Sequence, residues 1–207
     1  MTPVELLPGF ERMLEVCRKY GLALYQEPPV SFTPVAGEPV AGLPCDPHLS
    51  AVLTRVSTLG LPEGFFLLPG KAEDGFDLRG VNEEWRRDWP EPFGSLLVFA
   101  KEQALAYYLA TVPSLADEQG IQPVVWVDTY EDLYALPIAS SVDRFFDTYS
   151  HSLERQVERL NFPWDVPDLV GRDTSLVKLL RSGRFDFLME TCQEAREWVG
   201  KVLAAST

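Results

Sequence analysis

Apolar residues follow two rhythms along this chain, one helical and one extended, and their order predicts the architecture. Leu6, Phe10, Met13, Leu14 and Cys17 keep a helical spacing up to Gly21. Thr2-Pro3-Val4-Glu5 has the form of a capping box with proline at the first helical position, and Pro8-Gly9 offers a later start. Leu22–Tyr25 reads as a short strand. Pro28, Pro29, Pro34, Pro39 and Pro44 make residues 26–45 an extended surface connector. Asp46-Pro47 reads as an N-cap, and Leu49, Val52, Leu53, Val56 and Leu59 carry a second helix to Gly60. Phe65–Leu68, between Gly64 and Pro69-Gly70, is an apolar run of strand length. Residues 71–92 read as charged and irregular.

The rhythm then becomes extended. Ser95–Ala100 and Ala104–Val112 flank Lys101-Glu102-Gln103 as a hairpin, and Pro123–Val127 and Leu133–Ala139 flank Asp128–Asp132 as another. Four consecutive strands with short links predict an antiparallel meander, because parallel pairing needs long crossovers. Ser140-Ser141 caps a helix whose apolar face carries Val142, Phe145, Phe146, Tyr149, Leu153, Val157 and Leu160. After Asn161 and a proline-containing break come two shorter helices. One bears Leu176, Leu179 and Leu180; the other bears Phe187, Leu188, Thr191, Ala195, Trp198, Val199 and Val202. The expected fold class is α+β, a mainly antiparallel meander with helices packed on one side. Residues 1–160 form that unit, and residues 161–207 form a helical extension packed on it.

Composition supports a well-filled core, with 46% hydrophobic residues in a chain of 207. Charge narrows the partners. With 31 acidic and 18 basic residues the net charge is −13, which repels nucleic acid and attracts basic proteins, although acidity also serves solubility alone. Cys17, Cys45 and Cys192 form no CxxC pair, which fits reduced thiols. The chain opens on no basic segment leading into an apolar one, and no long apolar run occurs, so a cytoplasmic protein without membrane insertion is expected.

Catalytic signatures are missing: there is no GxGxxG, Walker loop, GxSxG or HExxH. His48 and His151 have no histidine or cysteine at ligand spacing, so neither metal nor cofactor is expected and no residue is assigned a catalytic role. Asp128, Glu131 and Asp132 crowd one loop without the glycine turn of a calcium site. Ser140-Ser141 reads as a plain N-cap pair. Trp85 and Trp89 lie among Glu83, Glu84, Arg86, Arg87 and Asp88. Such tryptophans either fold back onto the sheet or present an interaction surface, where tryptophan is enriched. The second alternative makes Glu83, Glu84, Trp85, Asp88 and Trp89 the candidate partner-binding residues.

The centre of the chain resembles the SUKH superfamily, which includes the yeast cell-wall-synthesis regulator group and many bacterial immunity proteins. The resemblance rests on Leu61-Pro62 leading into Phe65–Leu68, on Trp89-Pro90-Glu91-Pro92-Phe93 before the strand Ser95–Ala100 and its partner, on Pro123–Val127, and on Ile138-Ala139-Ser140-Ser141-Val142 running into Phe145-Phe146. It covers roughly the central half of the chain. Lys101-Glu102-Gln103 departs from the family's Asp- or Gly-rich turn, helix 46–60 lacks its polar ending, and residues 26–45 and those after Asn161 fall outside its pattern.

The resemblance implies a non-enzymatic protein-binding module, of the kind that neutralises a cognate toxin, often a basic nuclease or deaminase. Two alternatives stand beside it. One is a regulatory or scaffolding protein for another complex, including a membrane-associated one, as in the Syd branch. The other is a ligand-binding protein or enzyme whose site assembles from distant carboxylates such as Asp74, Asp77, Asp128 and Asp132.

Overall fold

A computed structural model of the chain describes residues 7–29, 33–62, 64–72, 75–102, 106–130, 133–155 and 161–206. The first helix, α1 (Pro8–Tyr20), uses the later of the two expected starts, and the capping box at Thr2 lies outside the described residues. Gly21 ends it in the left-handed conformation, φ 63°. The first strand, β1, falls at Tyr25–Glu27, three residues later than the pattern of Leu22–Tyr25 indicates.

Segment 26–45 is more than a connector. Besides supplying most of β1, it folds into a hairpin of β2 (Pro39–Val40) and β3 (Leu43–Pro44). Its turn residues Ala41 and Gly42 both have positive φ, the geometry of a tight hairpin. Val40 and Cys45 point into the core, so the prolines mark the rims of a small packed element.

Helix α2 covers Pro47–Leu53, and the Asp46 side chain caps it at the Leu49 N–H. The expected continuation to Gly60 fails: Thr58–Gly60 is a strand, β4, paired on both sides with β1 and β5 (Phe65–Leu67). Val56 and Leu59 are buried as the helical spacing requires. That spacing is also met by a turn followed by a strand, and the two strand ladders decide between them. Residues 71–92 likewise depart from the irregular reading. Asp77 caps helix α3 (Leu78–Asp88) at the Gly80 N–H, and Leu78, Asn82 and Trp85 form its buried face. A buried asparagine in the middle of that stripe hides its period in the sequence.

The expected strands appear as β6 (Leu97–Glu102), β7 (Tyr107–Thr111), β8 (Val124–Asp128) and β9 (Tyr134–Ala139). Lys101 and Glu102 belong to β6 rather than to a turn, while Gln103, Glu131 and Asp132 lie outside the described residues. All seven strands of the main sheet are antiparallel, in the order β1-β4-β5-β6-β7-β8-β9, so the meander extends well beyond its four central strands.

Ser141 caps α4 (Val142–Glu154) through its hydroxyl at the Arg144 N–H. Val157 and Leu160 fall outside the described residues. Helix α1 lies along α4, close enough that a Cβ on Gly9 would come within 2.1 Å of the Asp143 carbonyl. The extension contains α5 (Pro167–Val170), α6 (Thr174–Arg181) and α7 (Gln193–Ala205). Phe187 and Leu188 sit in a separate 3-10 turn rather than in the last helix. Phe185, Leu188, Trp198 and Val202 share one hydrophobic core with the sheet, and α6 and α7 contact β9. One outer strand of the sheet is thus covered, whereas β1 at the other end exposes Tyr25 and Gln26. Among the described residues, no helix is long and apolar enough to cross a membrane.

Candidate functional site

The surface expected to bind a partner separates into an anchor and a rim. Trp85 is 3% exposed, its indole N–H donates to the Phe93 carbonyl at 2.8 Å, and its ring packs on Tyr108 at 4.9 Å. Trp85 is therefore a core residue, a correction to its place among the binding residues: its ring fills the space between α3 and the sheet, and its polar atom is satisfied there. Trp89 is half-buried against Trp85 at 5.5 Å. Glu83, Glu84 and Asp88 do face outward. Asp88 is engaged by Arg87, however, and Arg79, Arg86 and Arg87 match the three carboxylates on the same helix. That face carries no net charge to attract a basic partner.

Register concentrates charge and rings elsewhere, at the strand ends. Direct partners across a sheet share a face and successive residues alternate. Phe66, Lys101, Tyr108 and Val127 follow one another on one face. Glu102, Tyr107, Asp128 and Tyr134 lie in the adjacent row on the opposite face. By register Lys101 belongs to the first face, 5.5 Å from the Tyr108 ring and 6.0 Å from that of Phe76, and Glu102 and Asp128 belong to the second, although the Glu102 carboxylate leans toward Gly64 at the end of β5.

Rings back this second row. Tyr107 packs on Trp126 at 4.7 Å, and Trp126, Tyr134 and Trp164 touch one another at 6.1 to 6.2 Å. Asp128 accepts from the Tyr130 N–H at 2.7 Å and from the Tyr134 hydroxyl at 3.2 Å, which fixes its carboxylate at the sheet end. The Tyr134 hydroxyl is held protonated by burial and by Asp128. Burial pushes the Glu102 carboxyl up, and Glu102 has no ion pair among the described residues. Tyr130, beside this row, is 72% exposed, the most open large apolar side chain described. Among the described residues the buried Trp126 indole N–H has no acceptor, and neither has that of Trp198.

Other concavities flank the fold, among them a groove and a cleft. A groove of about 460 Å³ beside Lys101 is lined by Tyr25, Phe66, Pro69, Phe76 and Lys101, and Glu102 lines it as well. A cleft of about 530 Å³ between the sheet unit and the extension is lined by His48, Ser141, Lys178 and Arg184.

The remaining candidates for chemistry have structural employment. Asp77 caps α3 and accepts from the Ala72 N–H, which separates it from Asp128 in role; Asp74 and Asp132 lie outside the described residues. His151 lies between Arg12, Asp147 and Glu154 where α1 meets α4. The cysteines are buried and unbridged, and burial pushes the Cys45 thiol up to about 12. Among the described residues no group of three or more His, Cys, Asp or Glu side chains is arranged to hold a metal. Sequence reasoning passed over Glu102, Tyr107, Tyr130 and Trp164, because only strand register brings the first two beside Asp128. No family model, curated protein or solved structure matches this chain.

Proposed function

We propose that this chain is a protein-binding module of the immunity type, which neutralises a basic toxin domain by covering its active site. The observation that carries this reading is the strand-end row, where Glu102 and Asp128 flank Tyr107 beside exposed Tyr130. Carboxylates next to amphipathic rings suit a cationic protein surface, and the net charge of −13 speeds its approach. The resemblance of residues 61–149 to the SUKH superfamily agrees with such a role, and the reading assigns no catalysis or cofactor.

The test is binding of the purified chain to basic nuclease or deaminase domains encoded beside its gene, read by interferometry and by inhibition of the toxin. Glu102→Lys combined with Tyr130→Ala is expected to weaken association by about 100-fold, the order of two central contacts. A toxin that is neither bound nor inhibited overturns the proposal. Capture of a non-toxin complex instead supports the regulatory alternative.

A further inference from the structure

We infer that the cleft between the sheet unit and the extension binds a small phosphate monoester, held by Lys178 and Arg184; this site shares no residue with the strand-end row. Ser175, Lys178 and Leu179 stand one turn apart on α6 and line the cleft together. Arg184 joins them because Gly183, with φ 69°, ends the helix in the left-handed conformation, and the Arg184 N–H donates back to the Leu179 carbonyl at 3.2 Å. The turn thus returns a second cation to the side of the first. Neither has a counter-charge: among the described residues Lys178 and Arg184 make no ion pair. Nearby cations are engaged, Arg172 with Asp168 and Arg181 with the Ser206 hydroxyl.

The carboxylates of this region are taken up by main-chain donors instead. Asp117, which also lines the cleft, accepts from the Gln119 and Ile121 N–H groups, both at 2.9 Å. Buried Asp173 accepts from the Leu176 and Ser140 N–H groups at 3.1 and 2.7 Å. Asp173 thereby ties the start of α6 to the entry of α4, which brings Ser140 and Ser175 to one cleft with two hydroxyl donors. Two cations with hydroxyl donors suit a phosphate dianion better than a single carboxylate. The volume of about 530 Å³ exceeds a bare phosphate, and Leu115, Ile121, Pro123 and Leu179 give an aliphatic wall without an aromatic ring to stack a base. A compact sugar or aliphatic body fits that wall. The net charge of −13 opposes polyanions, but salt screens it beyond about 8 Å, so a small anion feels chiefly the two local cations.

The experiment titrates the intact chain with ribose 5-phosphate, inorganic phosphate, ribose and a phosphoserine peptide, following amide resonances. Ribose 5-phosphate is expected to give saturable shifts at Ser140, Ser141, Ser175 and Arg184, and ribose none. Inorganic phosphate is expected to shift the same residues with about tenfold weaker affinity. Lys178→Gln and Arg184→Gln should each weaken ribose 5-phosphate binding about tenfold, and the double variant about 100-fold. Both side chains are exposed, and thermal melting of the unliganded variants separates a lost site from a lost fold. Absence of saturable shifts with both small phosphates, shifts undiminished in the double variant, or equal binding of ribose overturns the inference. Inorganic phosphate binding as tightly as the monoester, or the phosphoserine peptide binding more tightly than either, overturns the assignment to a small monoester. Toxin binding that is indifferent to the double variant leaves the proposed function standing whatever this titration returns.

Discussion

Asn82 shows how much one polar side chain can do in this core. Strand β5 ends opposite Ala100, and its ladder continues only to the Leu68 N–H, which donates to the Phe99 carbonyl. The next main-chain groups on that side of β6 belong to Val98. The Asn82 amide supplies both partners: its Oδ1 accepts from the Val98 N–H at 2.8 Å, and its Nδ2 donates to the Val98 carbonyl at 2.7 Å. The side chain stands in for a missing strand residue. Asn82→Ala leaves a buried donor and acceptor unpaired, and a loss of about 3 kcal/mol is expected in urea unfolding. Asn82→Asp should not rescue it, since a carboxylate would face the Val98 carbonyl.

Among the helices, buried carboxylates do double duty. Asp46 caps α2 at Leu49 and also accepts from the Gln122 N–H, 76 residues away. Asp173 caps α6 at Leu176 and accepts from the Ser140 N–H at the entry to α4. Asp143, in the first turn of α4, accepts from the Phe10 N–H of α1. Each is legible as a cap or first-turn acid, but the second bond depends on where a distant element comes to rest. A more exposed link, the pairing of Arg155 with Asp168 at 3.1 and 2.6 Å, joins the end of α4 to α5. The Arg155 guanidinium holds the Asp168 carboxyl below its ordinary value. Because the folded form then binds the proton less readily than the unfolded chain, the stabilisation is complete above the ordinary aspartate value of about 4 and is lost as pH falls through the lower folded value. Asp168→Asn should therefore cost about 0.5 kcal/mol at neutral pH and close to nothing in strong acid, measured by unfolding across that range.

Across the molecule, the extension is part of the domain rather than an appendage. Trp164 seals Trp126 and Tyr134, Phe162 packs on Phe145 and Tyr149 of α4, and α7 contacts the outer strand β9. Removing residues 161–207 would expose an aromatic patch and a sheet edge together, a recognised route to aggregation. The truncated chain is expected to lose cooperative unfolding and to associate, as read by calorimetry and light scattering. A monomeric, cooperatively melting product would show that residues 7–155 fold alone.

Periodicity sufficed for the antiparallel meander, the capped helix after Ser140-Ser141 and most of the core, because local alternation and end-capping chemistry act within a few residues. It failed at 54–60, where helical spacing coincides with a turn and strand, and at 78–88, where Asn82 interrupts an apolar stripe for a bond to a strand 16 residues on. Trp85 shows the same limit: its composition suits either an anchor or a surface, and the Phe93 carbonyl is what makes it an anchor. The row of Glu102, Tyr107 and Asp128 came only with the folded sheet. Which residues stand side by side across strands depends on register, and register is set by the summed pairing of seven strands rather than by any one of them.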